Sequence, residues 1–124
     1  MTYLDTHILV WLYVDPELVP SGVREILDHE TLFISPMVAL ELQYLAESGR
    51  IAVEPGLILE NAYTGLGLSM DGENTGAAVL WSRNFAWTRD PFDRIITAQA
   101  DLAKVRLITK DAKILSNYSR AIWD

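Results

Sequence analysis

The chain has 124 residues, half of them hydrophobic, which suits one domain over residues 1–124 with a core that needs no staples. It contains no cysteine, which excludes disulfides, thiolate catalysis and cysteine-ligated zinc. A net charge of −7 excludes nucleic-acid binding by bulk attraction alone.

Residues 2–4 are short, apolar and β-prone, and read as a buried strand with Asp5 at its carboxyl end. Thr6 and His7 lead into a helical run that Asp15-Pro16 breaks. That apolar run is too short to span a bilayer and has no basic leader, so a cytoplasmic protein with no membrane partner is expected. A second helix runs from Pro20-Ser21-Gly22 to about His29, and residues 32–34 form a second strand. Ser35-Pro36 opens a helix with Val38, Leu42 and Leu45 on its apolar side, Glu41 beside that stripe, and Gly49 as its stop. Residues 57–63 are helical up to Gly65 and Gly67, and residues 68–70 are a third strand. Residues 73–83 are a helix with Ala77, Leu80 and Trp81 inward. Asp90-Pro91 starts the next helix, to about Lys104, with Asp90 as N-cap and Asp93 in the first turn. Residues 105–109 are a fourth strand that ends at Lys110-Asp111, and residues 121–123 a last edge strand.

Short, wholly apolar strands alternating with helices predict an α/β/α sandwich on a mainly parallel sheet. In such sheets ligands bind at the carboxyl ends of the strands. Asp5, Glu41, Asp90, Asp93 and Asp111 all follow strands or begin helices there, so they can share one rim. Each has a plain reading by itself: Asp5 and Asp90 as helix caps, Asp93 as a dipole complement, Glu41 as a surface acid, Asp111 as a turn residue. Converging carboxylates repel unless one is protonated or a cation lies between them. With only hard oxygen donors available, that cation is Mg²⁺ or Mn²⁺, and phosphodiester hydrolysis is the chemistry it serves.

Acid and base are unevenly spread: residues 1–82 hold 12 acids and 2 bases, and residues 83–124 hold 5 acids and 8 bases. Arg83, Arg89, Arg94, Lys104, Arg106, Lys110, Lys113 and Arg120 are therefore expected to form a local basic rim, with Arg94 and Lys110 as substrate contacts. The rival reading is a solvated surface that is merely basic at one end. His7 reads as a packing residue. Trp11, Trp81, Trp87 and Trp123 read as core or dimer-seam residues rather than base-stacking ones.

Four stretches, Tyr3-Leu4-Asp5-Thr6-His7, Ile34-Ser35-Pro36 through Glu41-Leu42, Asp90-Pro91-Phe92-Asp93-Arg94 through Ala100, and Leu107-Ile108-Thr109-Lys110-Asp111, together resemble the motif blocks of PIN domains. More closely they resemble the VapC-like ribonuclease toxins of toxin–antitoxin pairs. The resemblance covers essentially the whole chain. It implies a metal-dependent endoribonuclease whose catalytic acids are Asp5, Glu41, Asp93 and Asp111, with Asp5, Asp93 and Asp111 on the metal. Asp90 is then an accessory acid, and Thr6 and Thr109 are accessory hydroxyls, Thr6 toward a metal ligand or substrate and Thr109 toward Asp111; the rival reading, preferred for Thr109, is a plain structural hydroxyl. The same resemblance implies a cognate antitoxin, an RNA substrate and a homodimer. The alternatives are a non-catalytic RNA- or partner-binding module and a receiver-type phospho-aspartate domain, the latter suggested by Thr109-Lys110 but lacking a paired acid beside Asp5.

Overall fold

A computed structural model describes residues 1–124. Five strands, β1 (Thr2–Leu4), β2 (Leu32–Ile34), β3 (Ser69–Met70), β4 (Arg106–Ile108) and β5 (Ala121–Ile122), form one sheet in the order β3-β2-β1-β4-β5. Every neighbouring pair is parallel, with Tyr3 opposite both Phe33 and Leu107. Seven helices connect them: α1 (Thr6–Val14), α2 (Ser21–His29), α3 (Pro36–Glu47), α4 (Pro55–Leu66), α5 (Thr75–Trp81), α6 (Pro91–Ala103) and α7 (Ala112–Asn117). The chain moves outward from β1 to β3 and then returns across β1 to β4. Right-handed crossovers therefore put α1–α4 on one face and α5–α7 on the other, the expected three layers. The return places the switch in strand order between β1 and β4, so the crevice opens beyond Leu4 and Ile108.

The core is the central sheet and the helix faces that cover it. Tyr3, Leu4, Leu32, Ile34, Leu107 and Ile108 are all buried, because strands covered on both faces have no solvent side. Val38, Leu42 and Leu45 of α3 are buried as the helical spacing requires. Gly67 ends α4 in the left-handed conformation, φ 65°, and Gly49 follows α3 at φ 76°, so both helices stop where glycine permits the turn. Helix α4 begins two residues before its apolar pattern, since the Glu54 side chain caps it and Pro55 fills its first position. No helix is long and apolar enough to cross a membrane.

Helix α5 is shorter than expected and turned the other way. Ala78 is its buried residue, whereas Leu80 is 65% and Trp81 42% exposed, and the Trp81 indole donates to Asp101 at 2.7 Å. A small side chain faces inward here because α5 packs closely on α6. Helix α6 is buried over five successive residues, Ile96 to Ala100, because it touches α3, α5 and β4 together.

Candidate active site at the carboxyl ends of the strands

Asp5, Glu41, Asp90, Asp93 and Asp111 line a single cleft of about 520 Å³ at the predicted rim. Three of them are also helix caps. Asp5 accepts from the Thr6 amide at 2.8 Å, Asp90 from the amides of Phe92 and Asp93 at 2.8 and 3.1 Å, and Asp111 from the Ile114 amide at 2.9 Å. Capping and clustering thus coexist, because a cap engages one carboxylate oxygen. Asp90 and Asp111 each keep their Oδ2 free of protein hydrogen bonds, and none reaches the Asp93 carboxylate.

Two buried threonines tie the cluster together. The Thr6 hydroxyl donates to Glu41 Oε1, while its amide holds Asp5. The Thr109 hydroxyl donates to Asp5 Oδ2 at 2.7 Å and accepts from the Asp111 amide at 3.0 Å. A continuous chain therefore runs Glu41–Thr6–Asp5–Thr109–Asp111, in which Thr109 orients the Asp5 side chain and the Asp111 backbone. Oxygens of Glu41, Asp90 and Asp93 lie within 4.8 Å of one another, close enough to share one ion. Asp5 and Asp111 line the same cleft outside that trio.

The electrostatics follow from burial and like charge. Asp5 is 5% and Glu41 7% exposed. Burial raises the Asp5 carboxyl, partly opposed by its hydrogen bonds from Thr109 and Thr6. Glu41 is raised to about 7, first by burial and then by the charges of Asp5, Asp90 and Asp111. Asp93 is raised to about 8, again by burial first, then by Asp5, Asp90, Asp111 and Glu41. No ion pair balances any of the five, since the two ion pairs in the molecule are both made by Glu30. Hard oxygen donors, close spacing and uncompensated negative charge fit a divalent cation.

The basic rim is smaller than expected. Lys110 lines the cleft, and so does Arg50, which the charge count had assigned to the acidic part of the chain. Arg94 does not line it; its Nε donates to the Phe85 carbonyl at 2.9 Å and braces the loop before α6. Arg106 lies at the amino end of β4, paired with Glu30, and Lys104 ends α6 there in a left-handed turn. A run of bases along the chain is not a face, because strand β4 carries its two ends to opposite edges of the sheet. His7 is exposed on the cleft rather than packed, and Trp11 lines the same wall. The residue types of Trp11, His7 and Arg50 carried no local signal for this placement; only the way α1 and the end of α3 meet the crevice puts them there.

The model of the PIN domain family matches residues 2–120. The chain belongs to the PIN domain family. Among PIN relatives it is 29% identical over 121 residues to Ribonuclease VapC22 of Mycobacterium tuberculosis, a match that covers 92% of this chain and 89% of that protein. A solved structure, VapBC2 from Rickettsia felis bound to a DNA fragment from their promoter, has a similar fold, with a TM-score of 0.69 at 19% identity over 100% of both chains. The PIN fold also disposes of the receiver-type alternative. Receiver domains have strand order 2-1-3-4-5, whereas here β1 is the central strand, between β2 and β4.

Proposed function

We propose that this protein is a Mg²⁺- or Mn²⁺-dependent endoribonuclease, the toxin of a toxin–antitoxin pair. The observation that carries this reading is the convergence of five carboxylates, none of them in an ion pair, at the switch point of a PIN domain. The likeness to Ribonuclease VapC22 and to the VapBC2 complex supports the substrate class and an antitoxin partner. Asp5, Glu41, Asp93 and Asp111 are assigned as catalytic. Asp5, Asp93 and Asp111 are assigned to metal, with Asp90 joined to them by its closeness to Asp93 and Glu41.

A bound divalent ion supplies Lewis-acid polarisation of the phosphodiester and a water of lowered pKa. The chain's own residues prepare the place. Thr6 and Thr109 fix Glu41 and Asp5 by hydrogen bonds, which spares the site any reordering when charge develops. The Asp90 cap holds the first turn of α6 and so aims Asp93 from a rigid element. Burial and neighbouring negative charge favour the protonated forms of Glu41 and Asp93, and a divalent cation held there would favour their ionised forms. Lys110, which lines the cleft, is assigned to a substrate phosphate. The products carry 5′-phosphate and 3′-hydroxyl ends, and the reaction takes place in the cytoplasm. A homodimer belongs to the same reading; exposed apolar side chains such as Val14, Leu57 and Leu80 offer surface for a second copy and for the antitoxin.

The test is cleavage of a total-RNA and transfer-RNA panel with Mg²⁺, Mn²⁺ or EDTA, beside Asp93→Asn. Discrete fragments that require both metal and Asp93 are expected. Unchanged cleavage by a pure Asp5→Asn/Asp93→Asn double variant would falsify the assignment.

A further inference from the structure

The cleft has a second chemistry besides its acids. Lys110 Nζ stands 5.3 Å from the centroid of the Trp11 ring, which lies 5.5 Å from the Trp123 ring and 6.0 Å from the His7 ring. A similar pair stands nearby: Arg50 lies 5.8 Å over the Tyr44 ring, which packs at 5.6 Å against Phe92, the neighbour of Asp93. Lys110 follows β4, and Arg50 follows α3, which continues from β2. Strand β1, which ends at Asp5, runs between β2 and β4. Both cations line the cleft that holds the five acids, and Tyr44 stands just outside that lining, beside Arg50 and Phe92. Neither forms an ion pair, although five carboxylates line the same cleft. Each rests on an aromatic face instead, an interaction weak enough at an exposed site to be given up for a phosphate.

We propose that these two cation–aromatic pairs form a track for single-stranded RNA beside the acid cluster. Bases of neighbouring nucleotides stack on Trp11 and on Tyr44, and the displaced Lys110 and Arg50 take the adjoining phosphates. The inference rests on the nuclease reading and names how that site holds its substrate. A duplex cannot use such a track, because its bases are already stacked on one another. A basic peptide drawn by the acids would meet two cations on its way in. A polyanion with π-faces matches rings and cations together, and stacking of this kind tolerates any base.

The test compares binding of two fluorescent probes, a short oligoadenylate and its abasic counterpart, by anisotropy in Mg²⁺. The protein carries Asp93→Asn so that neither probe is cut. Trp11→Leu and Tyr44→Leu keep apolar bulk and remove the ring. Each is expected to weaken oligoadenylate binding about tenfold and leave the abasic probe unaffected. Lys110→Gln and Arg50→Gln are expected to weaken both probes alike and to flatten the salt dependence. Folded Leu variants that bind oligoadenylate as the parent does, or lose both probes equally, overturn the track. Tyr44 is 46% exposed, so Tyr44→Leu carries the test if Trp11→Leu does not fold. Failure of the track with metal-dependent cleavage by the wild type leaves the nuclease standing. Base-dependent binding by a wild type that cuts nothing does the reverse.

Discussion

The two ends of the sheet hold the same residue types in opposite electrical states. At the amino ends of the strands, Glu30 accepts from Arg106 and Thr2 and lies 3.9 Å from the chain's amino group. The Arg106 hydrogen bond holds its carboxyl below the usual range. At the carboxyl ends, five acids share one cleft with no ion pair, and Glu41 and Asp93 are pushed up to about 7 and about 8. One end is neutralised by the chain itself. The other is left for something outside the chain to neutralise, which costs stability and is the usual mark of a functional site.

The largest effect should come from removing charge at the unbalanced end. Asp93→Asn is expected to lower metal-dependent RNA cleavage by more than about 100-fold, since the role proposed for Asp93 is that of a ligand, which matters more than the partners that orient it. The same variant should melt higher than the wild type in EDTA at alkaline pH, because it removes a buried like charge. A variant that loses activity and also melts lower at pH 9 would break the contrast between the two ends.

The pH dependence sharpens that contrast. Glu41 and Asp93 have folded-state values of about 7 and about 8, above the 4.5 and 3.8 of free side chains. Their contribution to stability is therefore complete below about pH 4 and is lost as pH rises through about 7 to 8. Scanning calorimetry in EDTA should find a melting temperature that falls from pH 6 to pH 9. Mg²⁺ should restore it, more at pH 9 than at pH 6, where protons compete for the same oxygens. A melting temperature independent of pH over this range would count against an uncompensated cluster.

A smaller effect is expected from the hydroxyls that orient the acids. Thr109→Val keeps shape and removes the bond to Asp5, so the Mg²⁺ concentration for half-maximal cleavage should rise roughly tenfold. The smallest comes from the balanced end. Arg106→Gln should leave cleavage unchanged and move the melting temperature little, because its ion pair with Glu30 is only half-buried at the surface. Its measurable result is a Glu30 carboxyl that titrates higher in an NMR pH series.

Much of the site was legible in the chain because its grammar is local. Asp90-Pro91 and Ser35-Pro36 announce helix starts, and the structure has both caps where expected. The strand-ending positions of Asp5 and Asp111 follow from short apolar runs next to them. Long-range partners were not legible. Nothing local indicates that Thr109 bonds to Asp5, 104 residues away, or that Gln99 reaches the Asp71 carbonyl at 2.6 Å while Asp71 takes the Tyr3 hydroxyl. Nor does the basic count near the carboxyl terminus indicate that Arg94 turns to Phe85 and Arg106 to Glu30.

The sequence by itself determined the α/β alternation, the parallel sheet and the identity of the five acids, because hydrophobic period and capping act over a few residues. Only the tertiary structure decided that α5 turns Ala78 inward and Leu80 outward, and that Trp11, His7 and Arg50 join Lys110 around the acids. Those outcomes depend on strand order, which sets β1 between β2 and β4 and brings helix ends distant in the chain to one crevice.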